Sequence, residues 1–451
     1  MQKANAGDPI AQHSLAIQYL LGEGVEADTS KSVYWLKKAA AADVTAARYN
    51  LGIFQFNGWH TEWDPYGAFT NFLYAAESGM REAQLGVGIL YTEDLIVRRN
   101  YPEALKWLSK ASLAGSANAS EKLHQLEKKG LITIDTLQKK VTLSNKLIKA
   151  QQSTTDNNEK ALLQYIDFEA DTIETPSDSV LFADALEECA GLDTLGISSF
   201  NPDTIRHKFS YIKNVLEQCA EYGNPEAITL LGRIYENGIF TGKNLLKAAY
   251  LYTRGVRVES PRAAFFLWRM IQDPVFIRQL TNMAGKKDVA ATFVSARLSI
   301  LGITNIPDQR RALQLLESVA GQSDDAALEA AFCYLQGKGT AKDEEKGMQM
   351  LRSLAGKDIK EAKLWYSLFL LNTGHLSVYT DEETLNKSVY YGSLPVLAVK
   401  GIMNRDGIGT TQNYALAADY FRRAASRGSA SSYALLKKLY DERRPQDELF
   451  K

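Results

Sequence analysis

Ala11-Gln12-His13-Ser14-Leu15-Ala16, Ala47-Arg48-Tyr49-Asn50-Leu51-Gly52 and Ala83-Gln84-Leu85-Gly86-Val87-Gly88 are three versions of one pattern, and the step between them is 36 residues each time (47 − 11 and 83 − 47). The same step carries Ser32 to Ala68 to Ala104, and Ala39-Ala40 to Ala75-Ala76 to Ala111-Ser112. A half-length fourth copy follows at Ala119-Ser120-Glu121-Lys122-Leu123. A fixed period of this size marks an array of small structural units that bury their apolar faces only by stacking on one another.

Each unit reads as two helices. Ala11, Leu15, Ala16 and Tyr19 form one apolar stripe at helical spacing, and Gly22-Glu23-Gly24 supplies the left-handed residues that end a helix. The second helix sets Ser32, Trp35, Leu36, Ala39 and Ala40 on one face, with Lys31, Lys37 and Lys38 elsewhere. Small residues at Ala16/Gly52/Gly88 and Ser32/Ala68/Ala104 let paired helices approach closely, while Tyr19 and Trp35 fill the space beside them. The expected fold is all-α, an α/α superhelical solenoid of stacked antiparallel helix pairs.

The pattern returns after a gap. Residues Pro225 to Gly238 repeat the opening helix and Ala248 to Tyr252 start its partner. Further units are expected at about 287–321, 322–357, 358–392 and 393–428, with a closing helix from Ser429 to Tyr440 and a polar, solvent-facing Asp441-Glu442-Arg443-Arg444-Pro445. Ser260 to Lys287 reads as helix broken at Asp273-Pro274. Between 131 and 222 the period is lost among Ser/Thr/Asn/Pro clusters such as Ser153 to Asn158. That region reads either as degenerate helix pairs continuing the stack or as a hinge between two arrays. The resulting division is 1–130 for the N-terminal repeats, 131–222 for a degenerate helical linker, 223–440 for the C-terminal repeats with their closing helix, and 441–451 for a polar tail.

Composition narrows the function classes. Of 451 residues, 52 are Lys or Arg and 53 Asp or Glu, a net charge of −1, which excludes a basic nucleic-acid surface as the default. With 45% hydrophobic and 23% charged residues the chain belongs with folded proteins. No apolar run reaches the ~18 residues of a membrane span; a peripheral membrane complex stays open. Met1 to Ala6 holds no apolar leader core, so a start trimmed at a signal-cleavage site and a natural cytoplasmic start read alike. Cys189 and Cys219 lie in near-identical contexts, Leu186-Glu187-Glu188-Cys189-Ala190 and Leu216-Glu217-Gln218-Cys219-Ala220. They are read either as a disulfide formed in an oxidising compartment or as two buried thiols. Cys333, between Phe332 and Tyr334, is a core residue on this reading.

Motifs for chemistry are thin, and no catalytic residue, metal ligand or cofactor is expected. Gly337-Lys338-Gly339-Thr340 lacks phosphate-loop spacing and falls where each unit places its interhelix turn. The five histidines, His13, His60, His124, His207 and His375, never form an i, i+4 pair. Asp324-Asp325 reads as a helix-start cap, and Arg422-Arg423 with Arg427 as a solvated face. Trp59-His60-Thr61-Glu62-Trp63 replaces the usual glycine turn. Two tryptophans there suit either local packing or an interface anchor.

Ala-x-x-x-Leu-Gly-x-x-Tyr, then Gly-x-Gly-Val, then Ala/Ser-x-x-Trp-Leu-x-Lys-Ala-Ala resembles the Sel-1-like repeat, a relative of the tetratricopeptide repeat. Gly22-Glu23-Gly24-Val25, Asp28 and Val33 to Ala40 carry the resemblance most closely. It covers roughly 7–130 and 223–440. The family implies a right-handed superhelix acting as a non-enzymatic protein-interaction scaffold, commonly in bacterial envelopes, secretion or host contact. One relative organises an exopolysaccharide (alginate) export complex, so a periplasmic or outer-membrane-associated place is expected, with a cytoplasmic one as the alternative. A secreted or host-facing regulator and a carbohydrate-binding or enzymatic α/α protein are the competing readings. In such a superhelix the opening helices line the concave face. Partner proteins would then meet His13 and Ile17, Tyr49, Ile53 and Phe56 with Trp59 and Trp63, and later the charged Arg233, Glu236 and Arg405. The first array would offer an apolar, aromatic groove and the later one a charged groove.

Overall fold

The computed structural model describes residues 1–134, 202–239, 241–303, 308–372 and 382–450. Among them no strand occurs and the chain is built of α-helices, with one 3-10 turn at Glu448–Phe450. Two compact units are present. The first holds the described parts of Met1–Thr172 together with Asn413–Arg422 and Tyr433–Lys451; the second holds those of Ile173–Gln412 and Arg423–Ser432.

In the first unit the helices are α1 (Gln2–Asn5), α2 (Pro9–Leu21), α3 (Thr29–Ala41), α4 (Thr45–Asn57), α5 (Pro65–Glu77), α6 (Arg81–Glu93), α7 (Tyr101–Leu113) and α8 (Ala117–Lys128). Starts at 9, 45, 81 and 117, and at 29, 65 and 101, reproduce the 36-residue step for both helices of a pair. Each helix packs on the next, α2 on α3 and α3 on α4, through to α7 on α8. Asp8, Asp28, Asp64, Asn100 and Ser116 cap the first turns of their helices with side-chain oxygens, as polar residues before an apolar stripe do. At Gly52 an added Cβ would stand 2.7 Å from the ring of Phe72, so the small residue of the Leu-Gly pair is required by the closeness of α4 to α5.

The second unit runs through α9 (Pro202–Glu221), α10 (Pro225–Asn237), α11 (Leu245–Arg257), α12 (Pro261–Ile271), α13 (Pro274–Gly285), α14 (Val289–Ile300), α15 (Gln309–Val319), α16 (Asp324–Gln336), α17 (Glu344–Gly356), α18 (Lys360–Asn372), α19 (Glu382–Tyr390) and α20 (Leu394–Asp406). Asp273 caps α13 and Pro274 opens it, which places the break where the sequence signals it. Gly232 repeats the device of Gly52 in a tighter form: its Cβ would lie 2.3 Å from Tyr252. Cys333 is a free thiol in the core, as read from its apolar flanks. Of the expected linker, α9 and the residues after it are described; most of 131–222 lies outside the described residues. Cys219 is buried; Cys189, read with it either as a disulfide or as a second buried thiol, lies outside them.

Two last helices, α21 (Tyr414–Ala425) and α22 (Ala430–Asp441), are divided between the units. The structure differs here from the sequence reading. Residues 433–451 group with the N-terminal repeats and not with the array that precedes them. The segment expected as a solvent-facing polar tail is anchored by an apolar residue: Phe450 is 5% exposed, with its ring 5.0 Å from that of Tyr66 and 6.0 Å from that of Phe69. No helix among the described residues is long and apolar enough to cross a membrane.

Candidate protein-interaction surface

The opening helices of the first unit, α2, α4 and α6, repeat the same side-chain positions 36 residues apart. His13, Tyr49 and Leu85 are equivalent and all half-buried; Ile17 and Ile53 are equivalent and half-buried, while Ile89, next in the series, is buried. Asn50 on α4 is hydrogen-bonded to the His13 Nε2 across the α2–α4 step at 3.1 Å. Burial lowers the His13 pKa below its ordinary value, which favours the neutral ring as a hydrogen-bonding partner. Tyr49 leans on Phe72 of α5, ring centres 5.6 Å apart. The expected apolar residues are thus half-open ridges, partly spent on packing between helices.

Phe56, Trp59 and Trp63 lie at the far end of α4 and in the turn after it, beside α21 and α22. The Trp63 indole N–H donates to the Phe56 carbonyl at 3.0 Å, and its ring meets Tyr440 edge to face at 5.3 Å. Trp59 is 48% exposed and rests an edge on Phe54. Arg422 lies over Phe56 at 5.2 Å, donates to the Glu93 carboxylate at 2.9 Å and to the Tyr440 hydroxyl oxygen at 3.1 Å, and is 6% exposed. Burial opposes its charge, but the facing Glu93 carboxylate outweighs that and holds its pKa up. This corrects the solvated-face reading of Arg422, whose stem and guanidinium are drawn inward by an aromatic face and a buried acid. Arg427 is likewise paired, with Glu226 in the second unit at 2.5 Å.

The same C-terminal segment continues along the turn after α6. Tyr66 donates its hydroxyl to the Tyr440 carbonyl at 2.7 Å, Lys437 binds the Asp94 carbonyl at 3.0 Å and its carboxylate, and Arg444 donates to the carbonyls of Leu95 and Ile96 at 2.7 and 2.8 Å. Asp94 occupies a left-handed conformation, φ 57°, where the first repeat has Gly22. Within the first unit, the two repeats that lack the Gly-x-Gly-Val turn, at 58–63 and 94–99, are the two that receive the C-terminal segment. That departure, together with Leu449-Phe450 in an otherwise polar tail, is the signal that sequence reasoning did not follow up.

In the second unit the expected charged groove is internally neutralised. Glu236 accepts from Arg233 at 2.9 Å, from Arg269 at 2.6 Å and from the Tyr252 hydroxyl at 2.6 Å, while Arg233 stacks over Phe266 at 4.6 Å. Arg405 pairs with its neighbour Asp406 at 2.7 Å. Deeper in the unit, Arg257 binds Glu361 at 2.6 and 2.8 Å and also Asp325, Arg297 binds Glu329, and Arg254 stands 3.6 Å from Asp325 and 3.5 Å from Glu361. Asp325 was expected to cap α16; Ser323 does so instead, accepting from the Ala326 N–H at 3.2 Å, and Asp325 turns to Arg257 and Tyr250. Gly337 and Gly339 are in left-handed turn conformations, in keeping with a turn and not a phosphate loop.

The Sel1 repeat family model matches residues 9–44, 45–80, 81–116, 225–257, 324–357 and 397–429. Outside these stretches α14 and α15 pack on each other as a further helix pair. Over 105 residues the chain is 32% identical to DAP3-binding cell death enhancer 1 of Rattus norvegicus, covering 23% of this chain and 20% of that protein, so it spans about a fifth of that relative's length. A crystal structure of a protective antigen present in uropathogenic Escherichia coli strains, displaying an SLR fold, aligns with 98% of this chain and 85% of its own at 21% identity and a TM-score of 0.31. A Sel1 repeat protein from Oxalobacter formigenes aligns over 28% of this chain and 93% of its own at 29% identity and a TM-score of 0.27. Six stretches of this chain are thus Sel1 repeats, in the register that the helices themselves keep.

Proposed function

We propose that the chain is a non-enzymatic scaffold that holds a protein partner along the opening-helix face of its first unit. The observation that carries this is the 36-residue ladder of half-open side chains, His13/Tyr49/Leu85 beside Ile17/Ile53. Regular apolar ridges on a rigid stack suit an extended segment or a helix, which engages equivalent positions in successive repeats. The coarser statement follows from the family: Sel1 repeats are a protein-interaction fold. The reading extends to a bacterial envelope or exopolysaccharide-secretion complex, in a periplasmic or outer-membrane-associated place, on the resemblance to the Sel-1-like family; a Cys189–Cys219 disulfide, one of the two readings of that pair, would add support. A single mass measurement before and after reduction tests the pairing; an unchanged mass removes that support for an oxidising compartment.

Position-resolved cross-linking tests the binding face. A photoreactive residue at Ile17 or Ile53 should capture a discrete partner, and one at Tyr34, exposed on α3, should not. Equal capture from both faces, or capture from Tyr34 alone, would end the reading.

A further inference from the structure

Between the repeat matches that end at 257 and resume at 324 the chain makes a helical corner, α12 into α13, joined by Gln272-Asp273. Each helix buries a narrow stripe, Phe266, Leu267 and Met270 on α12 and Phe276 and Leu280 on α13, and turns its other side to solvent. Residues 272–275 are all exposed, so the corner projects. Large apolar side chains stand uncovered on it: Trp268 is 55%, Val275 57% and Met283 37% exposed. Trp268 lies in the last turn of α12 and Val275 in the first turn of α13, one on each flank of the corner.

The charge around them is biased. Residues 261–288 include five bases, Arg262, Arg269, Arg278, Lys286 and Lys287, and two acids, Asp273 and Asp288, a net +3 in a chain of −1. Both acids accept from a backbone N–H at the start of a helix, Asp273 from Val275 and Asp288 from Ala291, each at 2.8 Å. Arg269 is committed to Glu236, and Arg262 has a partner within the chain. Arg278, Lys286 and Lys287 are exposed and meet no acid among the described residues. Val275, Arg278, Met283 and Lys286 share one side of α13 at helical spacing, so apolar side chain and cation alternate along about 17 Å.

We infer that this corner docks on an anionic lipid surface. Trp268 and Val275 enter the headgroup layer, and Arg278, Lys286 and Lys287 meet lipid phosphates. An indole, apolar in body with one N–H donor, favours that layer, and each lysine or arginine beside a negative leaflet adds attraction. Shape favours a bilayer over an acidic protein segment: a projecting corner enters a fluid interface, whereas a peptide needs a concave seat. One tryptophan and three free cations give reversible, salt-sensitive binding of a peripheral kind. The inference is independent of the opening-helix groove of the first unit, and either can fail alone.

The test sediments the full chain with sucrose-loaded vesicles, one set of phosphatidylcholine and one of an equimolar mixture with phosphatidylglycerol. At low salt the chain should follow the mixed vesicles and not phosphatidylcholine alone. Brominated acyl chains in the mixed vesicles should quench the wild-type tryptophan fluorescence, and quench Trp268→Phe less. Arg278→Glu with Lys286→Glu and Lys287→Glu should weaken binding by more than about tenfold; Trp268→Ala should weaken it severalfold with its salt dependence unchanged. Three equal reversals elsewhere, Lys37→Glu, Lys243→Glu and Arg352→Glu, should leave it within about twofold, which separates a docking face from bulk charge. All these positions are exposed, and circular dichroism checks that each variant keeps its helices. No binding to the mixed vesicles, equal loss from both sets of reversals, or a Trp268 fluorescence response to the acetylated peptide amide Glu-Leu-Glu-Glu-Leu-Glu in place of vesicles overturns the inference.

Discussion

The two units solve the same packing problem with a different balance of chemistry. In the first, the contact that spans the longest sequence separations joins aromatic packing, Phe450 among Tyr66 and Phe69 and Tyr440 against Trp63, to one buried ion pair, Arg422 with Glu93. In the second, four helices are tied by a buried cluster of Arg254, Arg257, Arg297, Asp325, Glu329 and Glu361. Apolar contacts are non-directional and forgive small shifts, whereas a buried ion cluster is stable only while every member keeps its partners. The first unit should therefore yield piecemeal and the second should fail as a whole.

The sharpest way to break that contrast is Arg257→Met. Removing the hub leaves Glu361 and Asp325 facing each other in the interior, and a loss of about 3–5 kcal/mol is expected from urea unfolding. Hydrogen exchange should place that loss across α11, α16 and α18 while α2 to α7 stay protected. A drop of less than about 1 kcal/mol would mean the cluster is no more than surface-like pairing. Phe450→Ala comes next. A buried Phe lost to Ala is worth roughly 3 kcal/mol, and here it should appear as exchange of residues 433–450 with little change at α2 or α3. Cooperative unfolding of the whole first unit would contradict the piecemeal picture.

Gly232→Ala and Gly52→Ala compare the helix spacing of the two units directly. Overpacking costs about 1–3 kcal/mol, and Gly232→Ala, with the closer ring, should sit above Gly52→Ala in that range. Calorimetry of the two variants decides the order. The smallest effect is acid weakening near pH 4. Burial works against ionising Asp325, but Arg254 and Arg257 outweigh it and hold its pKa below the ordinary range; Arg257 does the same for Glu361. Carboxyls with depressed folded pKa values stabilise fully above their unfolded values, about 3.9 and 4.3, and that stability is lost as pH falls through the folded ones. Unfolding midpoints of the second unit should then be flat from pH 8 to 5 and decline from about pH 4 downward; in the first unit Asp94, whose burial is outweighed by Lys437, has the same sign, and the lowered pKa of His13 adds a shallow loss as pH falls below about 6.5. A decline of the second unit beginning near pH 6 would point to another group.

Why the repeat was legible and these contacts were not follows from range. Helix starts are written locally, by Asp8, Asp28 or Asn100 before a stripe, and the 36-residue step multiplies each local signal. The equivalence of His13 with Tyr49 and of Ile17 with Ile53 follows from the same period and is readable without the structure. The Tyr66–Tyr440 bond joins residues 374 apart and has no period to amplify it. Arg422 and Asp325 look like ordinary surface and cap residues in their own neighbourhoods; their roles depend on an acid or a base supplied by a distant helix.

The Arg444 bonds to Leu95 and Ile96, residues 349 and 348 apart, carry a consequence for synthesis. At roughly 5–20 residues per second, a ribosome needs on the order of 20–70 s between making one side of that contact and the other. Throughout that interval the turns after α4 and α6 wait with Tyr66, Phe69 and the 94–97 backbone uncovered. The nascent first unit is thus open for most of its own translation, a window in which a chaperone, or a competing segment of another chain, can reach what the finished protein hides.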